Sequence, residues 1–228
     1  MSLPPFRVSH VVFDVDGTLV DFVGAYRAGM AAAAARVSEL SGKLITRQEL
    51  QQAQRLATTE IAALGLPRGQ AHEEAFRHAL KSVGCDEHGV VEITRARNEA
   101  RDAALQPYDD VEDALALLHQ RGLALVAASN GNGDMARLSI FRYFTTTWFA
   151  ETAGVSKPDS RFYLGALEHA GVRPEAAIMV GDRIDNDYGP ARGIGMHAVL
   201  LDRESRVDDP SIVRIRTLTE LEGMIELA

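Results

Sequence analysis

The chain has 228 residues, 46% hydrophobic and 25% charged, the make-up of a globular fold rather than a fibrous, disordered or membrane-embedded one. Its 24 Lys and Arg against 32 Asp and Glu give a formal charge of −8, which argues against a nucleic-acid or anionic-membrane partner, because both select a basic face. The single cysteine, Cys85, excludes an intrachain disulfide and a zinc–cysteine cluster and fits a reducing compartment. The start, Met1-Ser2-Leu3-Pro4-Pro5, lacks the basic-then-apolar order of a secretory leader, so the expected location is the cytoplasm.

Val8 to Phe13 is a short apolar, β-branched run that predicts a buried strand ending in the polar turn Asp14-Val15-Asp16-Gly17-Thr18. Residues 21–106 then read as all helix. Val23, Tyr26, Met30, Ala33, Val37 and Leu40 alternate spacings of three and four, Thr46-Arg47-Gln48-Glu49 has the form of a capping box, and Leu50, Ala53, Ala57, Ile61 and Leu64 make a second stripe. Gly65-Leu66-Pro67-Arg68-Gly69 predicts a turn, and Ala71–Val83 and Val90–Leu105 two further helices. Beyond residue 106 the rhythm changes to strand and helix. Val111, Ala114, Leu115 and Leu118 mark a helix stopped by Gly122, and Leu123–Ala128 a strand ending in Ser129-Asn130-Gly131. After Lys157-Pro158 comes a helix over Arg161–Ala170. The strand Ala177–Val180 ends in Gly181-Asp182, Met196–Leu201 ends in Asp202, and Ile212–Ile215 is a fifth strand candidate.

This alternation predicts an α/β core built on a mainly parallel sheet, residues 1–20 and 107–228, interrupted by a four-helix insert at 21–106. The insert holds eleven acids and eleven bases, so the whole negative balance belongs to the core, where 21 acids meet 13 bases.

Ligands of parallel α/β sheets bind beyond the carboxyl ends of the strands. The turns at those ends supply Asp14, Asp16, Thr18, Ser129, Asn130, Asp182, Asp185 and Asp187, and Lys157 can reach the same edge. Lysine is scarce here, occurring only at Lys43, Lys81 and Lys157, which makes each one informative. Carboxylates gathered at one place repel, and a hard divalent cation with oxygen ligands, magnesium above all, relieves that repulsion.

Four ordered segments, Asp14-Val15-Asp16-Gly17-Thr18-Leu19, Ser129-Asn130, Lys157-Pro158 and Gly181-Asp182 with Asn186-Asp187, resemble the motifs of the haloacid dehalogenase superfamily, and the insert sits where that family carries a helical cap of its C1 type. The resemblance implies a Rossmann-like core, a closing cap that selects the leaving group, and a magnesium-dependent phosphomonoester hydrolase. Its implied roles are Asp14 as nucleophile, Asp16 as general acid and base, and Asp14, the Asp16 carbonyl and Asp182 as metal ligands. Thr18, Ser129, the Asn130 amide and Lys157 would bind phosphate. Asp187 is the implied partner of the lysine, with Asp185 as its alternative. The substrate so implied is a small phosphorylated metabolite such as a sugar phosphate, phosphoglycolate or a nucleotide. A haloacid dehalogenase or phosphomutase of the same superfamily, and a non-catalytic phosphate binder, are the other readings.

Competing motifs fit less well. A calcium loop opening at Asp14 would need Gly and Glu where Leu19 and Ala25 stand. Gly131-Asn132-Gly133-Asp134-Met135-Ala136 matches a relaxed dinucleotide fingerprint with Glu151 downstream, but follows the wrong strand. Ala127-Ala128-Ser129-Asn130-Gly131 approaches a nucleophile elbow with Asp182 and His197 to follow, yet leaves Asp14, Asp16 and Lys157 idle. His72 and His78 lie off one helix face and read as solvated, Cys85 reads as inert, and Arg27, Arg68 and Arg97 are weak candidates for substrate contact.

Overall fold

Six parallel strands in the order β4-β3-β2-β5-β6-β7 form the main sheet: β2 (His10–Phe13), β3 (Ala124–Ser129), β4 (Thr146–Phe149), β5 (Ala177–Gly181), β6 (His197–Leu201) and β7 (Arg214–Ile215). A separate parallel pair joins β1 (Phe6–Val8) to β8 (Ile225–Leu227). The structure, a computed structural model, describes residues 5–61, 64, 66, 68–131 and 138–228. The dinucleotide-like segment past Gly131, the first four residues, and Gly65 and Pro67 of the predicted turn lie outside the described residues.

The helices are α1 (Phe22–Ser41), α2 (Arg47–Ile61), α3 (Arg68–Ser82), α4 (Glu87–Ala104), α5 (Val111–Gln120), α6 (Ala150–Ala153), α7 (Ser160–Ala170) and α8 (Gly189–Gly193). Backbone contacts divide the chain into one unit of Met1–Asp21 with Pro107–Ala228 and a second of Phe22–Gln106.

In the sheet unit the central strands β2, β3, β5 and β6 are apolar on both faces, as parallel strands covered on both sides require. Val12, Val126, Ala128, Met179, Ala198 and Leu200 join Phe162, Tyr163 and Leu167 of α7 in one cluster. Strand alternation turns Val11 and Phe13, both without exposed surface, to the opposite face. Of the predicted strands, the first is in fact two. Ser9 breaks it: Phe6–Val8 pairs with Ile225–Leu227, and only His10–Phe13 enters the main sheet. Strand β4, Thr-Thr-Trp-Phe, escaped prediction because it is an edge strand of four residues with no apolar run, held by its pairing with β3.

In the helical unit Met30, Ala33, Ala34, Val37, Leu50, Phe76, Leu80, Val90 and Ile93 form a core of their own. The capping box at Thr46 is made: its amide donates to Glu49 Oε2 at 2.7 Å, and the Glu49 amide donates to Thr46 Oγ1 at 3.2 Å. Asp86 caps α4 by accepting from the Gly89 amide at 2.8 Å. The predicted stripes fray at their ends, where Val23, Leu40 and Leu64 are exposed, because nothing in the helix core extends beyond Ala25, Val37 and Ile61. Arg97 is buried, paired with Glu73 at 2.6 Å and stacked on the Phe76 ring, so it braces this core. Its spent donors replace the reading of Arg97 as a substrate contact. Arg27 is exposed, and the Arg68 side chain lies outside the described residues. His72 and His78 are exposed, and burial pushes the Cys85 thiol up, which suits an inert cysteine.

Leu50 is fully buried among these helices. Leu50→Ala should cost about 3 kcal/mol, the usual loss for an apolar cavity, read as a lower urea midpoint with unchanged slope. A loss of only a few tenths would mean the helical unit is loosely packed there.

Candidate active site

Strand β2 lies between β3 and β5, and the chain leaves it toward β3 on one side and later returns to β5 on the other. Such a reversal of direction opens a crevice at the carboxyl edge of the sheet. Phe13 is level with Ala127 of β3 and Val180 of β5, so Asp14, Ser129-Asn130 and Asp182 emerge side by side. The Asp14 amide still donates to Val180 O at 2.9 Å, which anchors the first residue of the turn to the sheet. The turn closes on Val15, whose carbonyl accepts from the amides of Thr18, Leu19 and Val20.

Two glycines make the close approaches possible. Gly17 sits at φ +83°, and a Cβ there would come within 2.7 Å of Asp182 Oδ2. A Cβ on Gly181 would fall on the Asp187 carboxylate. Side chains at these two positions would push Asp182 and Asp187 away from the first turn.

Lys157 is 2% exposed and its ammonium donates to Asp14 Oδ1 and to Asp187 Oδ1, each at 2.7 Å. Asn130 holds the lysine's backbone: its Oδ1 accepts from the Lys157 amide at 2.8 Å and its Nδ2 donates to the Lys157 carbonyl at 3.1 Å. The second Asp187 oxygen accepts from the Arg183 amide at 3.2 Å, and Tyr163 of α7 donates to the Asn186 carbonyl, which fixes the π-turn over Ile184–Tyr188. Asp185 points the other way, exposed and paired with Arg183 at 2.8 Å. Between the two acids left open by the sequence, Asp187 is the one that meets the lysine.

Asp16 lies partly buried beside Asp14. Its Oδ2 accepts from Ser129 Oγ at 3.3 Å, while its Oδ1 is buried without a hydrogen-bond partner. Desolvation first, and then the Asp14 charge, push its carboxyl up to about 7. The same two causes in the same order hold Asp182 at about 6 and Asp187 at about 7. Asp182 is exposed as a residue, but its carboxylate packs over Gly17. For Lys157 burial alone would pull the ammonium down, and the charges of Asp14 and Asp187 reverse that and raise it.

Oxygens of Asp14, Asp182 and Asp187 lie within 4.8 Å of one another, a spacing that suits a cation. Asp187 accepts on both oxygens from Lys157 and the Arg183 amide, and Asp14 on both from Lys157 and Thr18, so Asp182, exposed as a residue, is the acid most open to a cation, with Asp14 beside it. An all-oxygen donor set selects a hard ion such as magnesium. One buried lysine stands against four acids at this edge, and the raised carboxyls reflect their burial first and the Asp14 charge second.

Residues 8–195 match a family described as haloacid dehalogenase-like hydrolase. The chain belongs to that family. It is 29% identical over 215 residues to a glyceraldehyde 3-phosphate phosphatase of Methanopyrus kandleri, covering 89% of this chain and 90% of the relative. It is 36% identical over 164 residues to a phosphoserine phosphatase of Thermus thermophilus, covering 68% of this chain and 64% of the relative. Among solved structures, a 2-haloacid dehalogenase of Pseudomonas syringae superposes with a TM-score of 0.78 at 26% identity, over 96% of this chain and 98% of the other.

In this hydrolase the side chain of Thr18 has no exposed surface, and its hydroxyl donates to Asp14 Oδ2 at 3.3 Å, so it steadies that carboxylate. Ser129 is also fully buried, holding Asp16 and accepting from the Gly131 amide at 2.9 Å. The nucleophile-elbow reading fails on geometry: His197 begins β6 and Ser129 ends the parallel strand β3, so the two sit at opposite edges of the sheet. The clamp that Asn130 places on Lys157 had no sequence signal beyond the motif itself.

The raised acids set a pH dependence in metal-free protein. A carboxyl whose folded pKa exceeds its unfolded value near 4 gives stability that is complete below pH 4 and is lost as pH rises through the folded value. Asp182→Asn should therefore gain in melting temperature over the parent as pH rises from about 4 through about 6, in chelator. A difference that stays constant over that window would refute the raised Asp182 carboxyl.

Proposed function

We propose that this hydrolase cleaves small phosphomonoesters by way of an aspartyl-phosphate on Asp14. What carries the reading is Asp16: a second carboxyl, two positions after Asp14, with an unspent Oδ1 and a pKa of about 7. An alkoxide is a poor leaving group and needs a positioned acid, whereas a halide departs without one. The phosphatases among the relatives support the same direction.

In this mechanism Asp14 Oδ attacks phosphorus, and the bond to the ester oxygen breaks as Asp16 delivers its proton to that oxygen. Asp16, now ionised, takes a proton from the water that attacks the aspartyl-phosphate, releasing phosphate and restoring Asp14. Thr18 and Lys157 hold Asp14 by separate oxygens, leaving it a fixed line of attack. The Lys157 charge also faces the transferring phosphoryl oxygens and offsets the charge they gain. Asp14, Asp182 and the Asp16 carbonyl would hold magnesium, which supplies neutralisation of the anionic substrate when bound.

The dehalogenase that this fold resembles gives the second reading. Phosphate release from alkyl and aryl esters in magnesium, with no chloride from 2-chloropropionate, is the expected outcome, and the reverse pattern without magnesium would overturn the assignment. Asp14→Asn should abolish turnover with the fold intact. Asp16→Asn should slow phosphate release by roughly 10²–10⁴-fold, the usual contribution of a general acid–base group, and more for alkyl than aryl esters.

Magnesium should also raise the melting temperature, since it binds the assembled acids and not the unfolded chain. In Asp182→Ala that increment should vanish. A full magnesium response in the variant would remove Asp182 from the ligand set.

A further inference from the structure

We propose that Arg203 is a positioning residue for the phosphatase reaction, holding the Asp14–Thr18 turn from behind through the Thr18 carbonyl. The inference rests on the proposed function only for what the turn does. The geometry itself stands apart from it.

Arg203 follows β6 in a turn that Asp202 builds. Asp202 is 7% exposed and accepts from the amides of Arg206 and Val207, each at 2.9 Å, so its carboxylate is spent on the loop and not available to a cation. The turn directs Arg203 sideways along the carboxyl edge of the sheet. There one terminal nitrogen donates to Asp110 Oδ2 at 2.9 Å and the other to the Thr18 carbonyl at 3.0 Å. The guanidinium stacks on the Tyr108 ring, 4.2 Å from its centre. Asp110 in turn accepts from the Leu218 amide at 2.8 Å.

Thr18 is thereby held at both ends. Its hydroxyl donates to Asp14 and its carbonyl accepts from Arg203. Between them the turn has no side-chain support of its own at Gly17, the residue that links Thr18 to Asp16. The neighbouring chain is tied to the same place, for the Tyr108 amide donates to Leu19 O at 3.1 Å and Val20 bridges to Pro107. A guanidinium can grip a carboxylate and a carbonyl together while lying flat on a ring, and an ammonium cannot. The pair is also costly to break, because Asp110 Oδ1 and Arg203 Nε are already buried without partners. A surface arginine with only a charge to contribute would show none of this.

The test uses the full chain with Arg203→Met and Arg203→Lys. Hydrogen exchange of peptides covering residues 14–20 should quicken in both variants, with the β5 and α7 peptides unchanged. Turnover of an alkyl phosphate should fall by about 10–100-fold, the scale of a small misplacement of a reacting group. An aryl phosphate, which needs Asp16 less, should lose at most about threefold, and KM for both should hold within about twofold. Arg203→Lys should recover melting temperature through Asp110 without recovering alkyl turnover. Equal losses on both esters with exchange quickened throughout would mark a purely structural arginine and overturn the proposal, as would unchanged exchange over 14–20. If the parent chain hydrolyses neither ester, the phosphatase reading fails, and the exchange data alone still decide whether Arg203 holds the turn.

Discussion

A single buried ammonium organises the sheet edge. Lys157 contacts Asp14 and Asp187 at equal distances, and without it two buried carboxylates would face each other across the crevice. Each of the three comes from a different strand end or loop, so the ion triad joins the exits of β2 and β5 to the loop before α7. Removing one partner of such a group is worse than never having built it, because the others stay desolvated. That asymmetry explains why so much of the surrounding backbone is committed to placing the lysine: the Asn130 amide grips its main chain, and the π-turn with its Tyr163 bond holds Asp187.

Two further acids share the edge without a contact to the lysine. Asp16 and Asp182 keep raised pKa values since they share a low-dielectric edge with Asp14. The glycines are the other half of this arrangement. Gly17 and Gly181 remove the two Cβ atoms that would separate the loops, so the repulsion among the carboxylates is imposed by backbone that cannot relax apart. The sheet core behind it, fully buried from Val11 to Phe13 and from Ile178 to Val180, provides the rigidity against which that repulsion is held.

Much of this was legible from the residues in order. The apolar runs ending in Asp14, Ser129 and Asp182 mark parallel strands and the edge they share, because a strand buried on both faces leaves a continuous hydrophobic signal. The helical insert was visible from its change of period. What escaped was short or depended on distant partners. Strand β4 has four residues of which only Phe149 is buried, and the split at Ser9 is decided by Ile225–Leu227, more than two hundred positions away. Thr18 was assigned by its place in a motif, and only its burial shows that its hydroxyl faces Asp14. Arg203, Asp110 and Tyr108 carry no motif at all. An arginine in a polar loop has no sequence mark that tells a solvated charge from one laid on a ring.

The bonds at Asn130 bear on how the protein ages. An asparagine followed by glycine is chemically labile when the chain is free, since the next amide nitrogen can attack the side-chain carbonyl and expel ammonia. Here the Gly131 amide donates to Ser129 Oγ, and both ends of the Asn130 side chain are held by Lys157. The attack therefore has to wait for the loop to open. Once it occurs, the donor to the Lys157 carbonyl is gone and a further negative charge stands at the crowded edge. Damage at this one position would accumulate with the time the loop spends open, and isoaspartate at residue 130 would serve as a record of it.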